Sequence, residues 1–287
     1  MKDYLLFMDV SGDIDASYVD NGDIHLIPMD LVIDDQITTY TADNNGMDLN
    51  EFYHNIKRNK IVKTSQINPQ MYEDYFSPYL EKGYSCLYLG LSKGLSSTYQ
   101  SSVIASQNLK EKYPDVDMIT IDTDAVTALL GLLAERMIEN KKNGMTLEEN
   151  ANDINNVKTK LRGFAIVDDL KALKRGGRIS SAIAFAGAIL NIKPIISIAN
   201  GTLFMYDKQK GTKKAILKVA NAINDDIDTS FGKTIYIVDG CEEDSANELE
   251  QELKNLMPNL TIKRKLLSPI IGAHLGKGAL VVAYYGK

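Results

Sequence analysis

The sequence predicts an α/β protein of two α/β domains, the first built on a parallel sheet and the second on a mixed one. Three observations carry this expectation. Short apolar runs of buried-strand type alternate with stretches of helical periodicity through most of the 287 residues. Alternation of that kind implies strands joined by crossover helices, hence a Rossmann-like parallel sheet with helices on both faces. From about Gly163 the order becomes strand, helix, hairpin, helix, strand, helix, strand, which marks a second unit. The expected division is 1–162 and 163–287, with a β arm over about 23–62 in the first part and no linker between the two.

In chain order, "YLLFM" supplies the first strand. "DIHLIPMDLVIDDQITTYTA" reads as a hairpin-like arm turning at Asp34-Asp35-Gln36. "NPQMYEDYFSPYL" is helical, with Asn68 as cap and Pro69 at the first helical position. "CLYLGL" and "VDMITI" are strands, followed by the helices "SSTYQSSVIASQNLKEKY" and "AVTALLGLLAERMIENKKN". Asn143-Gly144 stops the latter, and "TLEENANDINNVKTKLRG" is a further helix. In the second unit "FAIV" and "TIYIVD" are strands, and "IKPIISIANGTLFMYDKQK" is a hairpin turning at Asn200-Gly201.

A composition of 44% hydrophobic and 24% charged residues is that of an ordinary soluble globular protein with real cores. The net charge of −6 argues against nucleic acid as a partner, and the densest basic cluster, "LKALKRGGR", is short and contains glycines. The apolar run in "MKDYLLFMDV" is too short for a signal peptide. Asn191, Lys193 and Pro194 cut the longest apolar region, Ala182 to Ala199, so no stable membrane insertion is expected. Cys86 and Cys241 form no spacing motif and read as free thiols of a reducing cytoplasm.

The most informative junction is "LGLSKGLSSTYQSS", where an apolar strand gives way to a helix through a crowd of hydroxyls. A helix N-terminus carries unpaired N–H groups and a positive dipole end, so it attracts anions. Ser96, Ser97 and Thr98 would lie in the first turn or at its cap, and their hydroxyls could donate to the same anion. No Gly-Lys-Ser/Thr opens the helix, which excludes a P-loop, and no G-x-G-x-x-G follows a strand. "GLSST" has Thr98 where a nucleophile elbow needs glycine, which disfavours a hydrolase built on Ser96 and His274. A Mg²⁺-dependent phosphatase is the other enzymatic alternative: "MITIDTDAVT" places Asp122 and Asp124 after a strand, and "FAIVDDL" supplies the pair Asp168 and Asp169. Asp124 and Asp169 are equally well placed as helix caps.

Five segments together resemble the DegV family, bacterial proteins that bind long-chain fatty acids: "DVSGDI", "KTSQINP", "LSKGLSSTYQSS", "LKRGGRISSAIAFAGAILNIKPI" and "IGAHLGKGALVVAYYG". They occur in the family's order and span nearly the whole chain. The resemblance implies a carboxylate site on Thr64, Ser96, His274 and Arg178 and an acyl tail held between the two domains in an apolar tunnel; the hydroxyls of Ser65, Ser97 and Ser92 beside these positions are further candidates to bind the ligand. It implies a carrier with no catalytic residues and no metal or cofactor, holding an acid such as palmitate or stearate. Some members are the binding subunit of bacterial fatty acid kinase, so a kinase catalytic subunit is a candidate partner. The chain departs from the family's pattern at Val10, Lys93, Ser97, Lys210, Leu275 and Lys277.

The residues themselves suit such a ligand. "AIAFAGAIL" interleaves small and large apolar side chains and could line a slot, although tight helix packing explains it equally well. At ~0.8 kcal/mol per buried methylene, a sixteen-carbon tail gives on the order of 10 kcal/mol before association costs. Micromolar binding needs only about 8 kcal/mol net. The tail would supply most of the affinity, and the polar clamp would select a carboxylate.

Overall fold

The computed structural model describes residues 3–41, 43, 46–57, 62–168, 170–179 and 191–287. The run 182–190 and Asp169, singled out above, lie outside the described residues. Strands β1 (Tyr4–Asp9), β2 (His25–Ile27), β6 (Ser85–Gly90) and β7 (Met118–Asp122) form a wholly parallel sheet in the order β2-β1-β6-β7. Every position of β6 is buried, as in a strand covered on both faces. Helix α3 (Pro69–Leu80) leads into β6, and α4 (Thr98–Lys112) joins β6 to β7. The Asn68 side chain caps α3 by accepting from the Met71 N–H at 3.0 Å. The chain leaves β1 for β2 on one side and returns to β6 on the other. At such a switch point the loops part beyond the carboxyl ends of the strands and leave a crevice.

Strands β3 (Met29–Ile33), β4 (Gln36–Tyr40) and β5 (Val62–Thr64) make the arm, an antiparallel sheet in the order β4-β3-β5. Asp34 and Asp35 form its two-residue turn with φ of 50° and 62°, as a type I′ hairpin requires. The arm starts later than the sequence suggested. Pro28, which lacks an N–H, separates β2 from β3, and β2 pairs with β1 instead.

A second sheet of mixed direction contains β8 (Leu161–Ile166), β9 (Ile192–Ala199), β10 (Thr202–Lys210), β11 (Thr234–Asp239), β12 (Thr261–Leu266) and β13 (Leu280–Tyr285). Its order is β10-β9-β8-β13-β11-β12, and only β11 and β12 run parallel. The hairpin turns at Asn200 and Gly201, both with positive φ. This sheet opens at Leu161, two residues before the expected division.

Helices α8 (Thr212–Asp226) and α9 (Glu243–Leu256) cover one face of the mixed sheet, burying Ile216, Ile223, Leu249 and Leu253. Helix α5 (Thr127–Lys142) lies against the other face and also touches β1. Twelve of its 16 residues are buried, which fits a helix enclosed between two sheets rather than one with a solvated face. Asp124 does not cap it: α5 starts at Thr127 with Val126 at the cap position, and Thr127 instead forms a bridge to Gly12. After α6 (Leu147–Val157), two short helices complete the frame around the crevice, α7 (Lys171–Arg175) and α10 (Pro269–Leu275). No helix among the described residues is long and apolar enough to cross a membrane.

Candidate ligand-binding site

A cavity of about 490 Å³ lies beyond the carboxyl end of β6. Its polar end is built by the loop from β6 to α4. There the Leu95 and Ser96 N–H groups donate to the Ser92 carbonyl at 3.0 and 3.1 Å, which curls the loop into a turn. Ser96 Oγ accepts from the Thr98 N–H at 3.2 Å and lies 2.9 Å from Thr98 Oγ1. Ser97 holds the cap position of α4, yet its hydroxyl makes no capping bond. Both serines line the cavity, beside the first turn of a helix whose leading N–H groups have no intrahelical partners.

The opposite polar wall comes from β5 and α10. Thr64, Ser65 and Gln66 line the cavity where the arm ends. Thr64 Oγ1 lies 2.9 Å from His274 Nε2, on the last turn of α10. Burial pushes the His274 imidazole down to about 4, helped by the charges of Arg178 and Arg175, so the ring is neutral near pH 7. Gly176 lets α7 approach it: a Cβ there would stand 2.6 Å from His274 Nδ1. Arg178 follows and donates from Nε to the Leu95 carbonyl at 3.2 Å, tying α7 to the serine loop.

Of the residues named from the sequence, Thr64, Ser65, Ser96, Ser97, Arg178 and His274 therefore share one cavity. Ser92 does not reach it. It is fully buried, donates to the Gly201 carbonyl at 3.0 Å and accepts from the Gly94 N–H at 3.1 Å, so its hydroxyl fastens the loop to the mixed sheet. Among the departures, Lys93 and Leu275 stand on the cavity wall, and Val10 is buried with its carbonyl accepting from Ser268. Lys210 lies exposed on β10, and Lys277 lies in the turn after α10.

The remainder of the wall is apolar and comes mainly from the second sheet and from α10: Ile196, Ile198, Leu203, Ile270 and Ile271, with Ala165. Sequence reasoning missed these residues. The available signal was the buried-strand pattern of "IKPIISIA" and the proximity of Pro269-Ile270-Ile271 to His274.

Asp122 and Asp124 lie off the cavity wall, engaged by lysines of other segments. Asp122 Oδ1 accepts from the Lys93 and Asp124 N–H groups at 3.2 and 3.3 Å, and Lys93 Nζ stands 3.3 Å from Asp122 Oδ2. Lys158 Nζ is 3.7 Å from Asp124. Asp168 pairs with Lys193. Among the described residues no group of three His, Cys, Asp or Glu side chains is gathered to hold a metal ion.

With this geometry in place, comparison with known proteins decides the family. A family model described as an uncharacterised protein of the DegV family matches residues 5–287. The chain belongs to the DegV family. A DegV domain-containing protein of Clostridium perfringens is 35% identical over 290 residues, covering 100% of this chain and 98% of the relative. The crystal structure of DegV from Bacillus subtilis, a fatty acid binding protein, is 27% identical, with a TM-score of 0.84 over 100% of both chains. A fatty acid binding DegV family protein of Streptococcus agalactiae is 26% identical, with a TM-score of 0.85 and the same full coverage. The parallel sheet and separate mixed sheet are thus those of solved DegV structures.

Proposed function

We propose that this DegV-family protein binds a long-chain fatty acid such as palmitate or stearate and carries it without catalytic turnover of its own. The carboxylate is held by Ser96, Ser97 and the first-turn amides of α4 on one side and by Thr64 and Ser65 on the other. His274 and Arg178 stand beside it, and the tail fills the apolar space between the lobes 1–162 and 163–287. One observation carries this reading: a single cavity of about 490 Å³ has hydroxyls, an arginine and a neutral histidine among its polar walls and isoleucine and leucine side chains from the second sheet along the rest. That volume suits a fatty acid, and a few placed polar groups in an otherwise apolar pocket are what an amphiphile needs. The fatty-acid-binding relatives of the same fold add support. The free thiols of Cys86 and Cys241 support a reducing, cytoplasmic setting.

Presentation of the acid to a kinase catalytic subunit belongs to the same proposal. It is supported by Lys93, which lines the cavity and whose side chain is 70% exposed, so the serine loop reaches the surface where a partner could meet the head group. Hydrolase or phosphatase chemistry has less support, because Ser96 is bonded to Thr98, His274 to Thr64, and Asp122 and Asp124 are engaged by Lys93 and Lys158. The test is to denature the protein as purified from bacteria and identify the released lipid by mass spectrometry. The reading expects fatty acid near one per chain. A protein that releases none and hydrolyses a generic ester or phosphate overturns it.

A further inference from the structure

Helix α10 brings His274, Ile270, Ile271 and Leu275 to the cavity, yet at seven residues it has little stability of its own. Its position must be set from outside. Its C-terminal half meets α7 through the close approach of Gly176 to His274, and its centre is fixed by Tyr53, against which a Cβ at Gly272 would stand 2.3 Å from the hydroxyl. At its start the Tyr53 hydroxyl donates to the Leu267 carbonyl at 2.7 Å. Ser268 Oγ donates to the Val10 carbonyl at 2.8 Å and accepts from the Ile270 N–H at 3.3 Å. A further link is ionisable: the Ser268 N–H donates to Asp13 Oδ1 at 2.8 Å.

Asp13 is buried in the loop after β1, and its other oxygen accepts from the Thr127 hydroxyl at the first residue of α5. Its own N–H donates to the Thr127 carbonyl at 3.2 Å. Thr127 also lines the cavity. One side chain therefore bridges three stretches of chain, two of which form the wall of the site. The groups facing it from other elements are Lys265 of β12, Tyr40 of β4 and Tyr53 of α2 (Leu49–Lys57).

We infer that Asp13 is a positioning residue for the head-group site: its buried carboxylate fixes the start of α10 relative to α5 and so holds the His274 ring against Thr64. The inference rests on the fatty-acid reading only for what that ring does. A carboxylate is costly to bury, and hydrophobic residues of similar volume would often be more stabilising. Its retention here is explained by geometry: its two oxygens accept from donors on two different elements at once, which no apolar side chain can do.

The test compares Asp13→Ala, Asp13→Asn and Asp15→Ala with the full-length wild type. Two readouts are used: palmitate affinity, and titration of the His274 ring by nitrogen-15 NMR, assigned with His274→Gln. Asp13→Ala is expected to weaken palmitate about tenfold or more, as loss of a hydrogen bond to a charged group implies, and to move His274 titration up toward the ordinary value as the ring loosens. Asp13→Asn keeps an acceptor for Ser268 and offers an amide to Thr127, so it restores most of both. Asp15→Ala removes an exposed side chain bonded to Ser17 and changes neither. Should the alanine variant not fold, Asp13→Glu keeps the charge but displaces it by a methylene, and is expected to weaken palmitate and shift His274 in the same direction. Unchanged His274 titration and palmitate affinity in Asp13→Ala or Asp13→Glu overturn the inference. If the wild type itself binds no palmitate, the fatty-acid reading fails, while the His274 signal still decides the role of Asp13.

Discussion

Two buried groups should make the stability of this protein respond to pH in opposite directions. Burial raises the Asp13 carboxyl from 3.8 to about 6, against the opposing influence of Thr127, Lys265 and the Ser268 N–H. The folded chain thus keeps that proton where the unfolded chain releases it. The contribution is fully present below about 3.8 and is lost as pH rises through about 6. Burial lowers the His274 ring from 6.5 to about 4, so its contribution is present above about 6.5 and is lost as pH falls through about 4. At about 1.4 kcal/mol per pH unit, each swing is roughly 3 kcal/mol. Between pH 4 and 6 the two cancel in the wild type. Asp13→Asn should expose the histidine's slope and gain up to roughly 3 kcal/mol over wild type at pH 7, with little gain at pH 4. His274→Gln should expose the opposite slope, and its advantage should grow as pH falls. Urea unfolding followed by circular dichroism at pH 4, 5, 6 and 7 measures both, each read as variant minus wild type at the same ligand loading. Differences that stay constant across that range would refute the reasoning.

Three further outcomes are expected. In Gly94→Ala the new Cβ would lie 2.4 Å from the Gly201 carbonyl oxygen, a backbone atom, so urea unfolding should show a loss of about 1–3 kcal/mol. Gly176→Ala places its Cβ 2.6 Å from His274 Nδ1, so the ring is pushed from Thr64; palmitate retention should fall while the melting temperature changes little, and retention equal to wild type would count against the site geometry. Ser96→Ala should lower the fatty acid released per purified chain more than Asp122→Asn does, and the reverse order would favour the phosphatase alternative.

The fold was legible because its signals are local. Alternating runs announced the parallel sheet, Asn200-Gly201 the hairpin and Asn68-Pro69 a helix start, and each depends on a few adjacent residues. The cavity's polar residues could be named from motifs, but their assembly could not be read locally: Thr64 and His274 meet across a separation of 210 positions. Where local reasoning failed, a distant partner had intervened. Ser92 resembled the other serines of its loop until the Gly201 carbonyl claimed its hydroxyl. Asp124 looked like a cap, but the bridge from Thr127 to Gly12 starts α5 later. Asp13 stood within the quoted "DVSGDI" segment, but its contacts could not be read there, since its partners lie 114 and 255 positions away.

The tip of the β9–β10 hairpin has a mechanical consequence. Gly201 donates to the Asp124 carbonyl at 3.0 Å and receives the Ser92 hydroxyl at 3.0 Å; a Cβ at Gly94 would stand 2.4 Å from its carbonyl oxygen, and a Cβ on Gly201 itself would stand 2.7 Å from Ser92 Oγ. The serine loop and the strands Ile192–Ala199 and Thr202–Lys210 are therefore latched together. On the proposed reading, the side on which an acyl chain would enter is the opposite one, where β5, α7 and α10 meet the cavity.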